Sequence, residues 1–222
     1  DHILFYANGP DEWVKDSVNQ TFYHQKNIYS DRAYYFLSVG GTGKRILTAP
    51  LLSNPVATVN NFSERYFHEL DTVNFLTSGK EWYGEEMSNL PGRSLTRNFN
   101  VSFPNIQAGA ALQLRVNCVA RSVNTGSRFD IRVNNQAAGQ LLVNSVAGGQ
   151  YDPFAQQGTV LLNVAGTQVI NNISFTYVPG SVNAQGWLNW FELFTRRNIS
   201  LNGINQLSFR DWPGAGSSVE FV

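Results

Sequence analysis

Cysteine is nearly absent. Cys118 is the only one in 222 residues, which excludes an intrachain disulfide, a CxxC redox motif and a cysteine-based metal cage. Charge is also scarce: Asp, Glu, Lys and Arg make up 14% of the chain, against about 25% in an average domain. The 16 basic residues balance the 16 acidic ones, so no net field favours nucleic acid or an anionic membrane. No apolar run reaches the ~18 residues of a spanning helix, and no membrane span is expected. The histidines, His2, His24 and His68, are scattered with no second ligand at a metal spacing, and no metal or other cofactor is expected. Methionine occurs once, at Met87, and the chain opens at Asp1, so a processed N-terminal boundary is expected.

What the chain does contain is strand and turn chemistry. There are 24 Asn and 19 Gly, aromatic residues reach 13%, and apolar residues reach 42%. Such a chain has ample surface to bury and is not disordered. Abundant Val, aromatic residues, Asn and Gly favour strands joined by tight turns over a helical bundle. The five Asn-x-Ser/Thr triplets, at Asn19, Asn61, Asn100, Asn172 and Asn198, are what chance gives in so Asn-rich a chain.

Charge divides the chain. Residues 1–91 carry 7 basic and 11 acidic residues, whereas residues 92–222 carry 9, all Arg, and 5. Leu90-Pro91-Gly92 is a strong turn signal at that point. The expected organisation is a strand-rich unit over 1–91 and a β-sandwich over 92–222.

The second half is the more regular. In LQLRVNCVAR, Leu112, Leu114, Val116, Cys118 and Ala120 share one face, and Gln113, Arg115, Asn117 and Arg121 the other. Phe129, Ile131 and Val133 alternate with Asp130, Arg132 and Asn134 and run into an Asn134-Asn135 turn. LLVNSV, VLLNVAG and the run Ile173, Phe175, Tyr177 follow. GWLNWFELFTRR is apolar on both faces, as a covered central strand requires. Short strands at 207–210 and 219–222 close the half. This spacing predicts an all-β fold, an antiparallel β-sandwich of jelly-roll or galactose-binding-like type. In the first half HILFYA, AYYFLSV and KRILTAP read as strands, and NFSERYFHEL fits helix and strand equally well.

The candidate chemistry is thin. VGGTGKR at 39–45 lacks the Ser/Thr and the first Gly of a phosphate loop and reads as a hairpin turn. Cys118 sits on an apolar strand face and reads as core, not nucleophile. Glu81, Glu85 and Glu86 surround Trp82 in SGKEWYGEEM. Paired carboxylates beside aromatics are used in glycoside cleavage, but ones this close in sequence decorate a turn. The segment Glu81, Trp82, Tyr83 and Glu85 is the most distinctive local motif and the candidate interdomain or ligand contact. Trp187 and Trp190, three apart on a strand, are expected to face opposite ways, one into the core and Trp190 toward a sugar ring or a neighbouring domain.

Four stretches in order, HILFYANGPDEW (2–13), FYHQKNIYSDRAYYFL (22–37), FHELDTVNFLTSGKEWYGE (67–85) and GWLNWFELFTRR (186–197), resemble the non-catalytic β region upstream of the catalytic domain in the cell-surface signal peptidases, or sortases, of the type IX secretion system. These belong with the gingipain-like C25 cysteine peptidases of Bacteroidota. The resemblance covers nearly the whole chain. The family's dyad pairs a Cys with a His followed by Gly, and no histidine here precedes Gly, so no catalytic residue carries over. The resemblance implies an exported, cell-surface accessory region whose partners are a downstream catalytic domain, secreted cargo or other secretion-system proteins, and lipopolysaccharide. The alternative expectation is a carbohydrate-binding module, because the WLNWFEL strand is also similar to modules of galactose-binding type.

Overall fold

The computed structural model of the chain describes residues 5, 7–42, 47–48, 54–77, 81–164, 169–201, 203–214 and 218–222. Among them there are thirteen strands and no helix. In chain order the strands are β1 (Glu12–Asp16), β2 (Thr21–Gln25), β3 (Ala57–Val59), β4 (Asn61–Glu69), β5 (Gly84–Ser88), β6 (Thr96–Phe103), β7 (Leu112–Arg121), β8 (Ser127–Val133), β9 (Gln136–Val143), β10 (Gln156–Val164), β11 (Ile170–Val178), β12 (Gln185–Asn198) and β13 (Val219–Phe221). Two compact units result: Asp1–Asn60 with Trp212–Val222, and Asn61–Asp211.

In the smaller unit β1 and β2 form a hairpin. Asp16 caps its turn by accepting from the backbone N–H groups of Val18 and Asn19, both at 3.0 Å, an Asx turn. Trp13 and His24 face each other across the hairpin, edge to face at 5.1 Å. β3 pairs in parallel with β13. The expected strand AYYFLSV does not form. Residues 33–39 are exposed, with no strand partner among the described residues. Apolar content on both faces is only half of what a strand needs; the other half is an edge to pair with. Most of HILFYA and of KRILTAP, and residues 43–45 of the 39–45 turn, lie outside the described residues.

The larger unit is an antiparallel β-sandwich. One sheet runs β10-β7-β12-β4, with β5 also on β12. The other runs β6-β11-β8-β9. The strand alternation read over Leu112–Arg121 holds along all of β7, whose inward residues Leu112, Leu114, Val116, Cys118 and Ala120 are buried. Facing them are Phe129, Ile131 and Val133 of β8 and Ile173, Phe175 and Tyr177 of β11. β12 is central, bonded on one edge to β7 and on the other to β4 and β5 in succession. That explains its two-sided apolar character. The NFSERYFHEL segment is strand β4, because its backbone completes the β12 edge from Asn61 to Glu69. The 207–210 segment is not a strand; only Arg210 makes a bridge, to Ser63.

The Pro91-Gly92 turn does not divide the chain. It joins β5 to β6 inside the larger unit, because β4 and β5, on its N-terminal side, pair with β12. Charge imbalance along a sequence reports surface decoration, and strand pairing over more than 100 residues overrides it. Two arginines fasten the far end of β12. Arg196 donates to Asn61, Ser63 and Asp211, and Arg197 donates to Glu64 and to the Pro104 carbonyl.

Candidate functional site

The Trp82 segment lies where the 70–83 connection meets the start of β12. Tyr83 makes an isolated antiparallel bridge with Val73, through two backbone hydrogen bonds of 2.8 Å. Asn74 Nδ2 donates to the Glu81 carbonyl at 2.9 Å. Gly84 is obligatory: a Cβ there would sit 2.1 Å from the Leu70 carbonyl oxygen. Tyr83 stacks on Phe75 at 4.8 Å, and Phe75 in turn meets Phe154 at 4.9 Å and Trp187 edge-on at 4.6 Å. Arg121 lies 4.4 Å over Phe154 and donates to its carbonyl at 2.8 Å. Burial, and then the Glu81 carboxylate, push the Tyr83 hydroxyl above its usual pKa. Trp82 itself remains 44% exposed, beside this aromatic stack.

The carboxylates diverge. Glu81 is exposed. Glu86 accepts from Gln185 Nε2 at 2.9 Å and Ser88 Oγ at 3.1 Å, with Arg93 at 3.4 Å. Glu85 is the extra residue of a β-bulge, since Trp187 pairs with Glu86 while Leu188 pairs with Gly84. Its φ of 38° turns it out of the ladder. Its carboxylate lies 2.7 Å from His68 Nε2, and His68 packs against Phe99 at 4.6 Å and Phe191 at 5.2 Å. One carboxylate in solvent and two held by different partners do not form an acid–base pair across a substrate.

A second bulge corrects the tryptophan expectation. Trp187 stands opposite Val119 and Trp190 opposite Asn117, with Asn189 as the extra residue on β12. Val119 and Asn117 are two apart, so both tryptophans project from the same face of the sheet, away from the core side that Leu188 and Phe191 occupy. Trp190 is half-buried with the Arg115 guanidinium 5.8 Å above its ring. Asn189 Nδ2 donates to Asn117 Oδ1 at 3.0 Å, which also accepts from Gln157 at 2.9 Å. Asn117 donates onward to Thr159 at 2.8 Å. The sequence reading missed this amide ladder; a lone Asn inside an apolar strand, between two tryptophans, was the available signal.

The one thiol is not placed as a nucleophile. Cys118 is fully buried, and burial followed by the Glu85 charge holds its thiol well above the ordinary range, the opposite of an activated thiolate. His24 lies 3.4 Å from Asp11, in the other unit from Cys118. Among the described residues no three His, Cys, Asp or Glu side chains converge as a metal site.

The fold defines the class: an all-β protein whose principal unit is an antiparallel β-sandwich. No family model and no curated protein matches the chain. Among solved structures it is similar to dimeric latent PorU from Porphyromonas gingivalis, with a TM-score of 0.68 at 17% identity over 94% of this chain. The match spans 19% of the PorU chain. Two carbohydrate-binding modules also align. One is the CBM36-1 domain of a xylanase from a Trinervitermes trinervoides hindgut metagenome, with a TM-score of 0.31 at 12% identity over 59% of this chain and 96% of its own. The other is the C-terminal CBM6 of LamC from Zobellia galactanivorans, with a TM-score of 0.32 at 15% identity over 60% and 98%.

Proposed function

We propose that this chain is a non-catalytic β module of a type IX secretion signal peptidase, exported to the cell surface, that positions a downstream cysteine-peptidase domain or docks cargo. The observation that carries the reading is the PorU-like fold along 94% of the chain. The four ordered sequence stretches point the same way. The absence of a usable nucleophile among the described residues agrees with it, because the one thiol is held neutral inside the sandwich. The Trp82 loop is the contact assigned to the neighbouring domain: it is braced from beneath by Phe75, Tyr83 and Trp187, yet leaves an indole ring partly in solvent. A rigid base under an exposed aromatic is the arrangement expected of an interface anchor.

Two measurements test this reading. The purified chain should leave a fusion carrying a C-terminal secretion signal uncut; cleavage would overturn the non-catalytic assignment. Amide exchange should be slower at 82–86 in the whole gene product than in this chain alone. Equal exchange would remove the docking role of the loop, and a gene product with no peptidase domain would remove the whole proposal.

A further inference from the structure

The β6-β11-β8-β9 sheet ends in a cavity that the proposed function does not use. There the last residues of β9 and β11 meet the first residues of β8 around a space of about 420 Å³, inside the range of ~300–1,000 Å³ typical of small-molecule pockets. No aromatic residue lines it, one lining side chain is an amide (Asn144), and one, Arg128, is charged. Arg128 stands directly across from Val178 on one neighbouring strand and from Leu142 on the other. A cation between two aliphatic side chains therefore forms one row on the outer face of the sheet. Leu142 is 71% exposed. Asp130 accepts from the Nε of Arg128 at 3.0 Å, which leaves both Nη groups without a partner among the described residues. Ser127 lines the same cavity, and its buried hydroxyl has no hydrogen-bond partner among the described residues either, so a polar group entering there can satisfy it. The walls are preformed. A Cβ on Gly180 would fall 2.0 Å from the Gly126 carbonyl oxygen, so two of the lining segments touch backbone to backbone, and Pro179 fixes the exit from β11.

We propose that this cavity binds an aliphatic monocarboxylate of medium chain length, a free fatty acid, with its carboxylate on the two Nη groups of Arg128 and its chain over Leu142. The lining selects that class. Without an aromatic there is no platform for a sugar ring or a nucleobase. One guanidinium matches one carboxylate through two parallel hydrogen bonds, whereas a phosphate dianion would keep an uncompensated charge against aliphatic walls. Because Asp130 occupies only the Nε side, it holds the fork in place with its Nη end toward the ligand. The inference stands apart from the proposed function, since the Trp82 segment lies against the other sheet, and either can fail alone.

The test titrates the full chain with octanoate and follows backbone amide chemical shifts. Shifts should concentrate at 126–128, 142–144 and 178–180. Octanol, which lacks the charge, should bind at least tenfold more weakly, and so should octanoate to Arg128→Gln. Shortening the acid should weaken binding by up to about fourfold for each CH₂ removed, and Leu142→Ser should blunt that dependence. Arg132→Gln, two residues along the same face with its Nη1 on the Asn135 carbonyl, should bind as the parent does. Unchanged urea midpoints would show that the variants fold. No shift up to about 10 mM octanoate, shifts centred elsewhere, or equal binding of octanol overturns the proposal. So does an equal loss in Arg132→Gln, which would mean diffuse attraction. Tighter binding of a short peptide with a free aliphatic C-terminus would assign the cavity to peptide and overturn the fatty-acid reading.

Discussion

The two units of this chain meet the same demand in different ways. The buried apolar residues from Phe62 to Phe194 all belong to the larger unit, where two sheets close over Phe99, Phe175 and Phe191. The smaller unit has comparable aromatic content, yet Tyr34 and Phe36 stand in solvent. The difference is not hydrophobicity but partners. In the larger unit each strand finds an edge, and its inward face then finds an opposing sheet. In the smaller unit the described strands form two-stranded pairs, which are marginal by themselves. An apolar segment with no edge to join stays exposed however strand-like it reads.

The comparison is broken most directly by truncating one phenylalanine in each unit. Phe191 packs within 5.2–5.7 Å of Tyr66, His68, Phe99 and Phe175. Phe191→Ala should lower the unfolding free energy by about 3–5 kcal/mol, through lost burial and a cavity among rigid rings. Phe36→Ala, measured by urea unfolding at low protein concentration, should change it by less than about 0.5 kcal/mol. Similar losses at both positions would mean that the smaller unit is as well packed as the larger one.

The next effect concerns the polar group set inside the sandwich. Glu85 lies beneath His68, with both side chains mostly buried. Removing the imidazole takes away the 2.7 Å partner of that carboxylate. His68→Ala should therefore cost about 1–3 kcal/mol, and His68→Gln, which restores a donor, should recover part of it. A cost below about 0.5 kcal/mol for His68→Ala would show the pair to be incidental to stability.

How legible was this in the sequence? The alternation from Leu112 to Ala120 and from Phe129 to Val133 translates directly into β7 and β8, because strict period two on a half-buried strand admits little else. Cys118 was placed in the core on the same ground. The bulges at Glu85 and Asn189 were not legible. A single extra residue leaves the composition unchanged and reverses the face of everything beyond it, which is why Trp187 and Trp190 were read to opposite sides. The candidate motif was legible, but the direction of its carboxylates was not. Glu81, Glu85 and Glu86 adjoin in sequence, and only the fold shows that Glu85 turns to His68 and Glu86 to Gln185. The boundary at Pro91 failed for a related reason, since β12 recruits β4 and β5 from more than 95 residues away.

The larger unit also carries a titration signature. Burial raises the Cys118 thiol, and burial raises the Tyr66 and Tyr177 hydroxyls, with the nearby Ser127 hydroxyl partly opposing the shift at Tyr177. Each of these groups holds its proton more tightly when folded. Between the unfolded and folded pKa values the native state therefore binds more protons, and stability falls as pH rises. The contribution from Cys118 is fully present below about pH 8.5, the ordinary thiol value, and declines above it. Urea midpoints for Cys118→Ala should fall less steeply across that range than those of the parent chain, whatever the mutation costs at neutral pH. An unchanged slope would separate the thiol from the alkaline transition. The parent thiol should also resist a disulfide reagent until the chain unfolds.

The smallest expected effect tests the best-read turn. Asn134 and Asn135 join β8 to β9 with φ values of 48° and 66°, both positive as a type I′ hairpin requires. Asn134 is further committed, since its amide donates to the Val169 carbonyl at 2.7 Å. Asn135 is the cleaner probe, because its backbone carbonyl, not its side chain, accepts from Arg132 at 3.1 Å. Gly enters that region without steric cost, so Asn135→Gly should be neutral or change stability by only a few tenths of a kcal/mol. Asn135→Val places a β-branched side chain in left-handed backbone and should cost about 1–2 kcal/mol. The contrast is a matter of conformation alone, since the turn is exposed and neither substitution removes a side-chain contact. Equal effects of Gly and Val would mean that positive φ at this position is not what holds β8 to β9, and that the Asn-Asn signal marked the hairpin for some other reason.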